Sequence, residues 1–513
     1  MGKEGLADAE RALAEGDLVR GERLARRELA RAPANARAHE LIAYALARKG
    51  DEDGALEHLR HAARQKGGSA AASHRLGVML RARGDRDGAH DAFAQSIARD
   101  AGFFPAIHDL ATLISDSGRP DESLALLDRA VALAPDSFEV HHNRGRVLHA
   151  LRRHEEAVAS YERALSLRPD HAPTLLNRGD SLDRLRRYDE AIADYRRAVE
   201  LVPGFDDARW NESLVRLLLG DFELGWELYE CRWSGSMAWP RRHHDVAAWK
   251  GELVEGKRVL VWWEQGFGDT LHFCRYVPML AARGAHVVFK VQPPLAALMK
   301  SLGGCEIVST GEKTGPCDYQ VPLLSLPGIF GTTLEKIPAA VPYLSADGSL
   351  VQQWKQDLGA GSKIGIVGSG HIAQKDNTAR SVSLSAFAPL AAFADLYVIQ
   401  VEVSPDDRDF VRQAGGRFHL LDDRIKDFSD SAAIVENMDA IVTIDSAVAH
   451  LAGALAKPAW VMLPWAPTWR WMVDREDSPW YPTMRLVRQH DPQRWDDVIQ
   501  RVHDALARIF RGR

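Results

Sequence analysis

Residues 161–170 read YERALSLRPD, and residues 188–204 read YDEAIADYRRAVELVPG. Their prolines belong to a series: Pro135, Pro169 and Pro203 are 34 apart, and the same step back lands on Ala101, Gly67 and Pro33. Ten residues after each mark stands a small residue: Ala43, Gly77, Ala111, Gly145, Gly179 and Ser213. Twenty-two after come Ala55, Ala89, Ser123, Ala157, Ala191 and Gly225. Twenty-six after come the large residues Leu59, Phe93, Leu127, Tyr161, Tyr195 and Tyr229. Small positions let two helices approach, and the large one fills the space between neighbouring units. The pattern predicts an all-α superhelix over residues 1–235: about six 34-residue units and a closing helical pair, WNESLVRLLLGDFELGWELYECRW.

A 34-residue period with this small–small–large–Pro order resembles the tetratricopeptide repeat, a helix–turn–helix unit. Asn143, Asn177 and Asn211 also lie 34 apart, two residues before the small position, with Asp109 one step earlier. Asparagine is a poor residue for the middle of a helix, so propensity did not place it there. Stacked amides could grip an extended chain through its backbone, because one amide both donates and accepts; they could equally cap turns or face water. The protein O-GlcNAc transferases carry a similar asparagine ladder, and that resemblance implies an acceptor-peptide groove here.

The composition is that of a water-soluble chain. It is 46% hydrophobic and 27% charged, with a formal net charge of −6, which gives no electrostatic reason to expect nucleic acid. The opening MGKEGLADAERALAEGDLVRGERL is charged throughout, unlike a secretory leader, and no run is apolar enough to span a bilayer. Cys231, Cys274, Cys305 and Cys317 are 43, 31 and 12 residues apart, far from metal or redox spacing, so reduced thiols and a cytoplasmic location are expected.

Past residue 235 the period stops. Residues 236–256 carry Pro, Gly and the basic cluster Arg241-Arg242-His243-His244 and read as a linker. Beyond it, strands such as RVLVWWE, HVVFKV and EIVST alternate with helical stretches such as DTLHFCRYVPMLAARG and PPLAALMKSLGG. IPAAVPYL then leads to a second alternating series that begins at KIGIVG and ends in the helix WDDVIQRVHDALARIF. Alternating βα units predict parallel sheets with helices on both faces. Two halves, 257–345 and 346–513, with a cleft between them are expected.

Three segments carry candidate chemistry. In WWEQGFGDT (262–270) a strand meets a Gly-rich turn, where Gly266 and Gly268 permit tight turning and close approach of a ligand. Asp269 there is either a helix cap or a base that takes a proton from a hydroxyl. In TIDSAVAHLAGAL (443–455) Asp445 ends a strand and Ser446 opens a helix whose free amides suit a phosphate, with His450 one turn along; a capped helix with a partly buried histidine is the alternative. In KIGIVGSGHIAQKDNTARS (363–381) the Gly368-Ser-Gly370-His-Ile-Ala373 run resembles a dinucleotide loop. Residues 371–382 show no apolar helical face, however, and no acidic residue ends a second strand about twenty residues on, Glu402 lying 32 beyond Gly370. The loop suits phosphate oxygens better than NAD. Trp469, Arg470 and Trp471 follow the strand PAWVML, where Arg470 could reach a phosphate and the tryptophans could stack on a ligand or pack the domain edge.

Together, EQGFGDTLHFCRYVPMLAARGAHVVFKVQPPL, DSAVAHLAGAL and WAPTWRWMVDREDSPWYPTMRLVRQ resemble the ADP-heptose:lipopolysaccharide heptosyltransferases. They resemble most the bacterial group that fuses tetratricopeptide repeats to such a domain, over roughly residues 210–490. The resemblance implies a GT-B fold, two Rossmann-like domains with the nucleotide sugar held mainly by the C-terminal one. It implies an inverting, metal-independent glycosyltransferase without cofactor, using a nucleotide sugar as co-substrate. Asp269 aligns with the catalytic base, and Asp445, Ser446 and His450 with the donor-binding segment, Ala447 standing where relatives often have Gly. Lys375 and Arg380 fall where relatives carry basic residues that neutralise the diphosphate. Some members of the fused group glycosylate flagellin, which implies a Ser/Thr acceptor on a protein. A transferase acting on a glycan or lipid-linked sugar, and a non-catalytic repeat scaffold, are the alternatives.

Overall fold

In the computed structural model, residues 2–236, 240–243, 245–370, 380–492 and 494–510 are described. The chain divides into two compact units, Met1–Pro203 and Gly204–Arg513.

The first unit consists of helices paired in antiparallel hairpins, from Gly2–Ala14 with Leu18–Arg31 to Ala172–Arg184 with Tyr188–Leu201, six pairs among the described residues. Side chains of Asp17, Asn35, Asp51, Ser69, Asp85 and Ser137 accept the amide hydrogen three residues on, supplying the acceptors that helix starts need. The small-to-large relation is a lock within each pair. A Cβ on Gly77 would lie 2.5 Å from the Phe93 ring, on Gly145 2.5 Å from Tyr161, and on Gly179 2.5 Å from Tyr195. All three rings are buried. The turn inside each pair reveals a second 34-residue series that the proline marks do not show. Gly16, Gly50, Gly84 and Gly118 have φ between 77° and 86°, and Arg152 and Arg186 take the same left-handed conformation at 60° and 61°.

The second unit opens with the closing helical pair, Asp206–Leu219 and Phe222–Tyr229, followed by a 3-10 turn, Glu230–Trp233. That pair was expected to end the superhelix, but it clusters with the α/β part. The reason is chemical: its last turn carries aromatic and charged side chains that are buried against the first sheet, as described below.

The first sheet holds β1 (Arg258–Trp262), β2 (His286–Val291), β3 (Cys305–Ser309) and β4 (Tyr319–Pro322), all parallel in the order β3-β2-β1-β4. β4 escaped the sequence reading because four residues ending in Pro322 leave almost no alternation to detect. Part of the expected linker is also structured: Gln320 accepts the Trp249 amide at 2.8 Å and donates to Ala247 at 2.8 Å, so residues 247–249 extend the β4 edge. The helix expected over DTLHFCRYVPMLAARG is two short ones, Phe267–Phe273 and Tyr276–Ala281.

The second sheet holds β5 (Lys363–Val367), β6 (Asp395–Val398), β7 (Phe418–Leu420), β8 (Ala440–Ile444), β9 (Ala459–Leu463) and β10 (Met484–Arg488), parallel in the order β10-β9-β8-β5-β6-β7. β5, β8 and β9 are buried along their whole length, which is why they read as unbroken apolar runs. In such sheets ligands collect where the strand order reverses. That point lies between β1 and β4 in the first sheet and between β5 and β8 in the second. No helix among the described residues is long and apolar enough to cross a membrane.

Candidate functional site

The reversal point of the first sheet is plugged. Glu264, two residues past β1, is 3% exposed and accepts the Leu324 amide at 2.9 Å. Arg232 from the 3-10 turn grips it through Nε at 2.8 Å and Nη2 at 3.1 Å, and also donates to Ser325 at 2.6 Å. Burial pushes the Glu264 carboxyl up, and the guanidinium pulls it back. At the second sheet the reversal point lies between Val367, which ends β5, and the Asp445–Ser446 step after β8.

Asp269 sits in the first turn of the helix Phe267–Phe273. One oxygen accepts the Gly266 amide at 3.1 Å, so the capping role is present. The other is ion-paired with Arg470, a residue from the loop after β9. Both side chains are largely enclosed, 14% and 12% exposed. Burial opposes the charge on Arg470, but Asp269 and Asp445 outweigh it and hold the guanidinium protonated. Arg470 therefore links carboxylates from both halves of the unit.

Ser446 caps the helix Ala447–Ala454 by accepting the Ala449 amide at 3.4 Å, and its hydroxyl also meets that of Thr443 at 2.9 Å. Asp445 accepts from Thr468 at 3.0 Å. His450 is not open to a ligand as expected. It is 3% exposed, with Nδ1 at 3.0 Å from the Tyr481 hydroxyl and its ring stacked on Trp471 at 5.1 Å. Burial lowers its pKa to about 3, so the ring is neutral. Gly268 needs correction for the same reason: a Cβ there would lie 2.9 Å from His450 Cδ2, so the space glycine leaves is filled by the histidine, not by a donor. Gly266 forms the turn as expected. Trp469 and Trp471 are buried and pack the interior, the alternative to stacking on a ligand.

The loop after β5 is also reassigned in part. The amides of Gly368 and Ser369 both donate to Gln400 Oε1, at 2.8 and 3.2 Å, and are spent there, not on phosphate. Lys375 lies outside the described residues. Arg380 is half-buried, and its positive charge is one of the smaller influences that lower the pKa of His450.

Sequence reasoning missed the residues that hold the site in shape. Gln265 adopts φ +57° and donates its side-chain amide to the Tyr229 hydroxyl at 3.1 Å. Arg275, 5% exposed, donates to the carbonyls of His272 (2.8 Å) and Trp480 (2.8 Å) and to the Tyr343 hydroxyl (3.0 Å), tying both halves to the connection between them. A lone Arg or Gln in a loop carries no periodic signal, so only the geometry reveals them. A cavity of about 1050 Å³ lies elsewhere, beside the β4 edge, lined by Glu223, Glu227, Trp233, Lys250, Trp262 and Lys336.

In the first unit the asparagine ladder is partly engaged. Asn143 directs its amide nitrogen to His108 Nε2 at 2.7 Å and Thr112 Oγ1 at 3.4 Å, across to the preceding repeat. Burial pushes the Asp109 carboxyl up, but His108 (3.5 Å), His74 (2.7 Å) and Arg81 (3.3 Å) outweigh it and hold the group well below the usual range. Asn177 is half-buried on the helix Ala172–Arg184, whereas Asn211 belongs to the second unit.

Residues 104–170 and 136–203 match the family model of the tetratricopeptide repeat. Protein FlbA of Caulobacter vibrioides is 26% identical over 328 residues, covering 57% of this chain and 54% of FlbA. The chain thus spans about half the length of the curated relative it matches. Among solved structures, YrrB, a TPR protein with an unusual peptide-binding site, is 19% identical and covers 36% of this chain and 95% of its own, with a TM-score of 0.34. PilF of Pseudomonas aeruginosa is 16% identical over 40% of this chain and 95% of its own, with a TM-score of 0.35. Tetratricopeptide repeats thus lie among the helical hairpins of the first unit, and the second unit carries an α/β region of two parallel sheets.

Proposed function

We propose that the chain is a glycosyltransferase of GT-B type that moves a sugar from a nucleotide-sugar donor to Ser or Thr hydroxyls of a polypeptide recruited by the repeats. The observation that carries the reading is the meeting of Asp269 and Arg470, brought from the two sheets beside the Asp445–Ser446 step. In the reaction, the acceptor oxygen attacks the anomeric carbon from the face opposite the leaving group. The carbon–oxygen bond to phosphate breaks, and the hydroxyl proton passes to Asp269. Negative charge grows on the departing nucleotide, and Arg470, Arg380 and the amides after Ser446 are the groups that would meet it. Flagellin, implied by the resemblance of the sequence, is the acceptor to test first.

Asp269→Asn should reduce transfer on the order of 10²–10⁴-fold, measured as sugar mass added to the acceptor, with nucleotide-sugar binding intact. Unchanged transfer would remove Asp269 from the role.

One observation favours a second reading, a non-catalytic scaffold: Asp269, Asp445 and His450 all have protein partners. Thermal shift with UDP-, ADP-, GDP- and CMP-sugars separates the two, because a donor that binds the native state raises the melting temperature and a scaffold shows no such rise.

A further inference from the structure

Asp269 can act as a base only if the turn that carries it holds one shape, and that turn begins with an unfavourable residue. Gln265 is not glycine, yet it stands at φ +57°, where side chains are disfavoured. Two contacts hold it there, both from the closing helical pair and its 3-10 turn. The Tyr229 hydroxyl accepts the Gln265 side-chain amide at 3.1 Å. One residue earlier, Glu264 is clamped by both arms of Arg232.

Tyr229 also reaches the other partner of the ion pair. Its ring, 1% exposed, packs edge-on against Trp469 at 6.0 Å, and Trp226 from the same helix meets Trp469 at 5.3 Å. The Arg470 guanidinium lies over that same Trp469 ring at 4.5 Å before it pairs with Asp269. One tyrosine thus touches the two segments whose tips form the Asp269–Arg470 pair.

We propose that Tyr229, backed by Arg232, is a positioning residue of the transfer site, so that the final turn of the helical pair is part of the catalytic architecture as well as the end of the repeat series. This rests on the transferase reading above. It accounts for two features that a mere closing pair does not need: a buried guanidinium inserted at the first sheet's reversal point, and a left-handed glutamine answered by a buried phenol.

The test uses the full-length protein and two variants. Tyr229→Phe removes the hydroxyl and keeps the ring. Gln265→Gly removes the anchor and, at the same time, the backbone strain, so the fold should be no less stable. Three quantities are read: hydrogen exchange of amides 264–270, the melting temperature by tryptophan fluorescence, and kcat and KM for nucleotide release from UDP-, ADP-, GDP- and CMP-sugars with flagellin present as the acceptor. Both variants should exchange at least tenfold faster at 264–270 and lose at least tenfold in kcat. The donor KM should stay within twofold and the melting temperature should not fall. Wild-type protection at 264–270 in Tyr229→Phe overturns the proposal, as does a loss of kcat that merely follows a loss of melting temperature. If the wild type releases no nucleotide from any donor, the transferase reading fails, and the exchange measurement still decides whether Tyr229 fixes the turn.

Discussion

Replacing Arg232 by alanine should unfold the second unit well before the first. The guanidinium is buried and makes bonds to Glu264 at 2.8 and 3.1 Å, to Glu230 at 2.7 Å, to the Tyr229 carbonyl at 3.2 Å and to Ser325 at 2.6 Å. Without it, Glu264 remains enclosed with the Leu324 amide as its remaining hydrogen-bond partner. Breaking a buried pair from one side costs about 3–5 kcal/mol, against a total stability on the order of 5–15 kcal/mol. At roughly 2–4 °C per kcal/mol, the melting temperature of this unit should drop by about 6–20 °C. The probe is built into the sequence: all 14 tryptophans lie beyond residue 203, so their fluorescence reports the second unit alone. The pH dependence has a definite sign. Burial raises the Glu264 pKa in the folded state above its unfolded value, and losing Arg232 raises it further. The folded state then binds the proton more tightly, so stability falls as pH rises from about 4.3 through the folded value. The deficit of the variant should be greatest at neutral pH and should shrink towards pH 5. Adding Glu264→Gln, which keeps an acceptor for Leu324 and removes the charge, should recover at least half of the loss. A melting temperature within 2 °C of wild type, or a deficit that grows on acidification, would refute the reasoning.

Two further outcomes concern the first unit and are read by far-UV circular dichroism. Arg152 is exposed and occupies, at φ 60°, a turn position that glycine holds at residues 16, 50, 84 and 118; Arg152→Gly should therefore stabilise the unit by about 0.5–1 kcal/mol, and a lower melting temperature would contradict it. Burial lowers His142, His149 and His154 to about 4 each, so their neutral forms favour folding fully above about 6.5, and that contribution is lost as pH falls towards 4. The unit should lose stability between pH 6.5 and 4.5, and His149→Gln should flatten that slope; an unchanged slope would exclude His149 as a contributor.

Much of the architecture was legible because it is periodic. A step of 34 residues linking six marks survives irregularities such as Ala101 for proline, and the buried strands β5, β8 and β9 announce themselves as apolar runs. The unit boundary was not legible, because the closing pair keeps the repeat's spacing, with Ser213, Gly225 and Tyr229 in place. What the spacing does not show is where its last turn packs: Trp226 and Tyr229 meet Trp469, and Arg232 is buried against Glu264. The site divides in the same way. Asp269, Asp445 and Ser446 stand at strand-to-helix junctions that a sequence displays, whereas the filling of Gly268 by His450 depends on two segments 182 residues apart. Nothing local to Gly268 separates room for a ligand from room for a neighbouring ring.

The charge balance at the Asp269–Arg470 pair limits how a transferase built this way would work. Arg470 already answers Asp269 and feels Asp445, so those three groups together carry about one net negative charge. A diphosphate would add roughly two more, and in an enclosed site like charges at about 4 Å repel by several kcal/mol even at an effective dielectric near 20. Arg470 cannot neutralise the donor while it remains committed to Asp269. Donor binding must therefore either draw Arg470 away or bring in another cation, such as Arg380. If Arg470 moves, Asp269 gives up its ion-pair partner at the moment the sugar arrives, and its carboxylate becomes free to meet the acceptor hydroxyl only when there is something to transfer. That order of events requires donor to bind before acceptor, and initial-rate kinetics showing acceptor binding first would exclude it.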